Sequence, residues 1–199
     1  MEIYAIETGN LMLDGGAMFG VVPKSIWSKV YPCDENNMCN LAMRCILVVN
    51  NERKILIDTG IGNKQDQKFL RHYYLNGDYS LENSLNKHGF GLEDITDVIL
   101  THLHFDHCGG CIKYNENNEL VPAFPNATFH TSLQQWKWAN NPNYREKASY
   151  LKENIEPLEQ SGKLNLFDSD CELFPGISVK LFNGHTDGQV IPYIKLNNR

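Results

Sequence analysis

The feature that most constrains this chain is the stretch Ile99-Leu100-Thr101-His102-Leu103-His104-Phe105-Asp106-His107-Cys108-Gly109-Gly110. His102, His104, Asp106 and His107 can all bind a metal, and they fall within six positions. Alternate side chains on an extended segment share a face, so His102 and His104 point the same way. Asp106 and His107 follow at once, so the backbone must turn there for the donors to converge. The run Asp97-Val98-Ile99-Leu100 reads as a short buried strand that delivers the loop, and Gly109-Gly110 lets the chain turn tightly and leave as a helix. Neutral imidazole and carboxylate are good ligands for zinc and similar divalent ions. Three such groups on one ion leave a position open for water, as in catalytic zinc sites. A fourth donor pointing elsewhere implies a second ion, and two ions about 3.5–4 Å apart can share a hydroxide and clamp a displacement reaction. The plainer reading, two histidines alternating on a surface strand beside a helix-capping aspartate, explains a lone His-x-His better than this whole pattern.

The stretch resembles the signature of the metallo-β-lactamase superfamily, Thr-His-x-His-x-Asp-His-x-Gly-Gly. Its version His-Leu-His-Phe-Asp-His resembles the acyl-homoserine-lactone lactonases more than most branches. Lys54-Ile55-Leu56-Ile57-Asp58-Thr59-Gly60 is similar to the superfamily's early strand ending in Asp-Thr-Gly, and Gly184-His185-Thr186-Asp187-Gly188-Gln189 to its Gly-His-Thr-x-Gly loop. The three motifs keep the family's order. The resemblance implies an α+β fold, the αβ/βα sandwich of two sheets with helices outside. It implies a first metal site of His102, His104 and His185 and a second using Asp106 and His107. Asp58 would orient the metal loop by hydrogen bonds without touching metal. Two divalent ions are expected. Zinc is the default, although iron, manganese or cobalt fits the same donors. This is specific for the superfamily and weak for any substrate.

The length of 199 residues suits one domain, taken as 1–199. A net charge of −6 with no basic run disfavours nucleic acid as a partner. The N-terminus lacks the basic-then-apolar pattern of a signal peptide, and no stretch approaches the ~18 apolar residues of a membrane span. A cytoplasmic location follows as the expectation, with the six cysteines as reduced thiols. Cys108 and Cys111 form a Cys-x-x-Cys, read as small residues in the first turn of a buried helix in preference to a redox or zinc role.

Residues 2–8 alternate as a first strand. Residues 9–40 carry no clear period and read as a long, partly apolar loop. Such a loop beside a metal site is a natural pocket wall, with Met18, Phe19 and Trp27 as candidate lining and packing over the sheet end as the equal alternative. Residues 42–50 and 54–58 read as strands joined by a turn over 50–53. Residues 63–75 and 80–88 read as helices, the second starting near Asp78 or Ser80 and stopping at Gly89. A polar excursion covers 114–125, and a short strand covers 127–130. His130 could approach the metals, but a lone strand histidine is usually structural. Residues 132–161, with Trp136, Trp138, Tyr144 and Tyr150, read as a helical insertion serving as lid, homodimer contact or core. The remainder is β-rich.

One departure from the family pattern matters. Relatives supply a bridging aspartate and one more histidine after the Gly-His-Thr-x-Gly loop, whereas only ten residues follow Gln189 here and none is Asp or His. The expectation is a chain lacking its C-terminal part, with a natural one-metal variant as the alternative. The leading function is a metal-dependent hydrolase acting on a small-molecule ester or lactone. The ions lower the pKa of a bound water and stabilise the charge developing on the attacked oxygen, and Asp106 shuttles a proton to the leaving group. Phe105 and the apolar early loop favour a lactone with an apolar tail. An organophosphate or phosphoester hydrolase and a thioesterase resembling glyoxalase II are the rivals. A non-catalytic metal-binding module is the alternative of another class.

Overall fold

The computed structural model describes residues 1–50 and 52–196. Asn51, in the expected turn, and residues 197–199, where the sequence places a polar turn, lie outside them. Chain order gives β1 (Glu2–Asp14), α1 (Gly15–Phe19), α2 (Lys24–Trp27), β2 (Met38–Val49), β3 (Lys54–Ile57), α3 (Gln67–Leu70), α4 (Leu81–Lys87), β4 (Asp97–Ile99) and α5 (Phe105–Cys108). Then come β5 (Ile112–Tyr114), β6 (Leu120–Pro122), β7 (Thr128–Ser132), α6 (Leu133–Asn140), α7 (Lys152–Gln160), β8 (Leu164–Phe167), β9 (Cys171–Phe174), β10 (Ile177–Phe182) and β11 (Gln189–Ile194). Among the described residues, six strands form one sheet in the order β1-β2-β3-β4-β7-β8, and three form a second in the order β11-β10-β9. β1, β2 and β3 pair antiparallel, while β3, β4, β7 and β8 run parallel.

Period-two alternation sorts the side chains of the large sheet into two layers. Leu47, Leu56, Val98 and Phe129 face the helices and pack with Leu85 of α4, Trp136 of α6 and Leu158 of α7. Their neighbours Val48, Ile55, Ile57 and Ile99 face the small sheet and pack on Phe174, Ile177, Val179 and Val190. The helix–sheet–sheet layering is that of the expected sandwich. No helix among the described residues is long and apolar enough to cross a membrane.

Several local expectations are corrected. The first strand runs to Asp14, not to residue 8. Gly9, at φ +100°, carries a bulge between Glu7 and Asn10, after which pairing with β2 resumes. The 9–40 segment is therefore strand, two short helices and strand. The expected helix over 63–75 shrinks to α3: before it Lys64 donates to the Gly109 carbonyl and buried Gln65 donates to Asn154 Oδ1 at 3.1 Å, and after it Tyr73 O accepts from Met12 N at 2.7 Å and Tyr74 sits at φ +44°. Ser80 does cap α4, accepting from Asn83 N at 3.2 Å. The 114–125 excursion is largely the β5–β6 hairpin. Trp136 and Tyr150 of the 132–161 segment are buried, whereas Tyr144 is fully exposed, so core packing prevails for the first two. Cys108 and Cys111 are buried as expected of small residues, but not in the first turn of a helix: α5 ends at Cys108, and after Gly109-Gly110 the chain leaves as strand β5 and not as a helix.

Candidate metal centre

Parallel pairing of β3 with β4 brings their following loops side by side, and a cluster of hydrogen bonds locks the two together. Asp58 N donates to Ile99 O at 2.9 Å, Thr59 N to His107 O at 2.8 Å and Gly110 N to Gly60 O at 3.0 Å. Gly109 and Gly110 permit this approach, since a Cβ on either would collide with the carbonyl of Ile61 or Thr59. Asp58 sits in the left-handed region at φ +60°, which turns its carboxylate toward the metal loop. Its Oδ1 accepts from Thr101 N at 2.8 Å, its Oδ2 from Thr101 Oγ1 at 2.8 Å, and His107 Nδ1 lies 2.8 Å from Oδ2.

His102 and His104 project from the segment after β4, and α5 starts directly after His104. His185 arrives on the loop between β10 and β11. That loop is tied down from the large-sheet side: Ser132 Oγ donates to Gly188 O at 2.6 Å, Gln135 Nε2 to Asp187 O at 2.6 Å, and Val190 N to Thr101 O at 2.7 Å. Gln135 also accepts from Leu103 N at 3.2 Å, so one amide spans both ligand loops.

One ligand atom from each of His102, His104 and His185 lies within 4.8 Å of the others. The Nε2 atoms of His102 and His104 are buried and have no hydrogen-bond partner. An orphaned buried polar atom costs about 1–3 kcal/mol, and a cation among the three rings would satisfy both. Burial first, and then the neighbouring imidazoles, hold His102 far below its ordinary pKa and His104 at about 4. Burial and the nearby His107 lower His185 as well. The three rings are therefore neutral donors near pH 7, as a divalent ion requires. The donor set fits such an ion.

Asp106 and His107 form an adjacent half-site, with His107 Nε2 at 3.5 Å from Asp106 Oδ2 and the His107 and His102 rings 4.0 Å apart. Burial works against the His107 cation. The hydrogen bond and charge of Asp58, joined by Asp106, outweigh it and raise His107 to about 9. A cavity of about 70 Å³, lined in part by Met43, Asp58, Asp106 and His107, opens beside this pair. A larger one of about 340 Å³ lies behind the metal loop, between Thr59, Gly110 and the start of α4.

The structure brings together the six sequence-selected residues His102, His104, Asp106, His107, His185 and Asp58. The candidate pocket residues fare differently. Trp27 is buried against Gly15 and stacks on Phe19 at 4.6 Å, Met18 is exposed, and none of the three lines either cavity. Phe105 instead packs with Phe69, Tyr73, Leu11, Met43 and Ile61 in an apolar cluster next to the site. His130 is not a metal-facing residue. It points into the layer between the sheets, with Nε2 at 2.9 Å from Asp97 Oδ1 and Nδ1 at 3.0 Å from Asn165 Nδ2. Sequence reasoning missed Gln135 and Glu146. Glu146 Oε2 lies 3.8 Å from His104 Nε2, and it comes from a turn with no motif to mark it.

The metallo-beta-lactamase superfamily model matches residues 44–196. The chain belongs to the metallo-beta-lactamase superfamily. It is a metal-dependent hydrolase of that superfamily, with N-acyl homoserine lactonases among its relatives. One from Bacillus cereus is 27% identical over 197 residues, covering 94% of this chain and 67% of the relative. A probable metal-dependent hydrolase from Staphylococcus aureus superposes with a TM-score of 0.89 at 35% identity, over 98% of this chain and 68% of that one. A dizinc quorum-quenching lactonase solved in complex with a product shares the fold at a TM-score of 0.75 and 24% identity, over 99% of this chain and 68% of that one. The chain thus spans about two thirds of the length of these relatives.

Proposed function

We propose that this superfamily member opens small lactones with an apolar tail, using two divalent ions, with zinc the first candidate. The observation that carries the metal reading is the convergence of His102, His104 and His185 with two buried, unpartnered Nε2 atoms. These three would hold the first ion, and Asp106 and His107 would contribute to holding the second. The chemistry supplied by a divalent ion in that position would be polarisation of a carbonyl and a lowered pKa for bound water. The protein's own part is positional and protonic. Asp58 occupies His107 Nδ1 and leaves Nε2 facing the site. Asp106, next to that Nε2, would take a proton from the attacking water as its oxygen bonds to the carbonyl carbon and hand that proton to the ring oxygen as the acyl C–O bond breaks.

The lactone preference draws on the Bacillus relatives and on the apolar side chain of Met43, which lines the cavity beside Asp106 and His107. Parallel assays of an N-acyl homoserine lactone, a phosphotriester and a thioester test it. A lactone rate well above the other two is expected, and equal, feeble rates on all three would overturn the preference. Elemental mass spectrometry tests the two-ion reading: about two ions per chain are expected, and one or none counts against it.

A further inference from the structure

Glu146 is the acidic side chain that the motifs did not mark, and it is rigidly held. Its Oε2 accepts from Trp138 Nε1 at 3.0 Å and from the Tyr150 hydroxyl at 3.3 Å, and its Oε1 accepts from Asn143 Nδ2 at 3.2 Å. Asn143 also receives the Glu146 backbone N–H at 2.9 Å, which closes a local turn around the carboxylate. The groups behind it are fixed in turn. Tyr150 is buried, and its hydroxyl meets Thr186 Oγ1 at 2.5 Å and Gln135 Oε1 at 3.2 Å. The result is a carboxylate with 15% side-chain exposure, its Oε2 set 3.8 Å from the unpartnered Nε2 of His104. Its charge acts on His185 as well as His104.

Both oxygens are already committed to neutral donors, so the carboxylate is suited to act as a fixed negative charge beside the three-histidine cluster. Arg145, the preceding residue, carries the opposite charge and acts on His185 too, but it is exposed to solvent, where a charge is screened more. A charge in a partly buried setting is screened less.

We infer that Glu146 is a charge filter at the first metal position, which disfavours anionic ligands and leaves neutral acyl groups as the substrates admitted. The inference rests on the metal-centre reading above and sharpens its substrate class. A neutral ester carbonyl, such as that of a lactone, approaches without penalty, and a hydrogen-bond donor beside that carbonyl gains from the nearby negative charge. A phosphodiester, or an ester bearing a carboxylate at the reacting end, would approach against it.

Anion affinity at the metal provides the test, with no need of a known substrate. The protein is loaded with cobalt(II), and the visible absorption bands are followed during titration with acetate, a monoanion, and with imidazole, a neutral ligand. Replacing Glu146 by Gln is expected to tighten acetate binding about tenfold, the order given by one nearby charge in a partly shielded site, and to leave imidazole binding within twofold (about 0.4 kcal/mol). Glu146→Ala gives the same comparison should the glutamine variant not fold. Equal acetate affinities in the variant and the unmodified protein would overturn the filter while leaving the metal centre standing. Failure of the unmodified protein to take up cobalt would overturn the metal-centre reading, and the filter with it.

Discussion

The carboxylate of Asp58 and the imidazole of His107 meet at 2.8 Å, across two loops that follow parallel neighbouring strands. The same carboxylate takes both the backbone N–H and the hydroxyl of Thr101. One side chain therefore sets the entry of the metal loop at Thr101 and its exit at His107.

Asp58→Asn should loosen that hold. Partners that orient metal-binding histidines typically contribute 10–100-fold in metal affinity. We expect a loss of about that size at the Asp106–His107 half-site, and a smaller one at the three-histidine cluster. Competition with a chromophoric chelator measures both, and an unchanged weaker-site affinity would refute the role.

Metal-free protein should be most stable near neutral pH. His107 titrates at about 9 in the fold, above the ~6.5 of a free imidazole. Its contribution is complete below pH ~6.5 and is lost as pH rises through about 9. His102 and His104 are shifted the other way, His104 to about 4. Below pH ~6.5 the unfolded chain takes up protons that these buried rings refuse, so stability falls as pH falls. Melting temperature in chelator should peak near pH 6.5 between pH 5 and 9.5. A profile rising steadily across that range would contradict the assignment.

His130→Ala separates a structural histidine from a ligand. Asp97, buried, would keep Arg53 at 2.8 Å and Thr96 at 2.8 Å but lose its third partner. A stability loss of about 1–3 kcal/mol is expected, visible in denaturant unfolding, with metal content per chain unaltered. A fall in metal content would return His130 to the ligand set.

Gly110→Ala places a methyl group against the Thr59 carbonyl and within 3.2 Å of Leu81. Overpacking of this kind costs roughly 1–3 kcal/mol. Here it also pries the β3 loop from the metal loop, so lower thermal stability should come with weaker metal binding. A variant that melts lower yet binds metal normally would show that the two loops are not coupled.

Thiol titration checks the cysteines. Cys33 and Cys171 are half-buried, whereas Cys39, Cys45, Cys108 and Cys111 are buried. Two thiols should react rapidly in the native chain and the other four only on unfolding. Fast labelling of Cys108 or Cys111 would reopen a redox reading of that pair.

The metal loop was readable because its donors, its strand and its glycines are contiguous, so local spacing carries the geometry. Asp58 and His185 became readable through motifs similar to those of a known superfamily, since nothing nearby in sequence says that β3 and the β10–β11 loop meet β4. Glu146 and Gln135 were invisible for the same reason without the same help: each is polar, lies in an unremarkable turn or helix, and gains meaning only through tertiary contact. The misread 9–40 segment fails on pairing. Residues Asn10 to Asp14 are held as strand by β2, which a single-strand pattern does not reveal. Trp27 reads as pocket lining until the missing side chain of Gly15 is seen to make room for it.

The three-histidine cluster draws on both sheets, with His102 and His104 following β4 and His185 following β10. An ion held there would close a loop of roughly 80 residues, a connection whose chain entropy is costly to form without it. Metal uptake would thus act as a late fastening step in assembly, joining a small sheet to a scaffold already built. Chelation should accordingly release the C-terminal strands into early hydrogen exchange while β2, β3 and β4 stay protected.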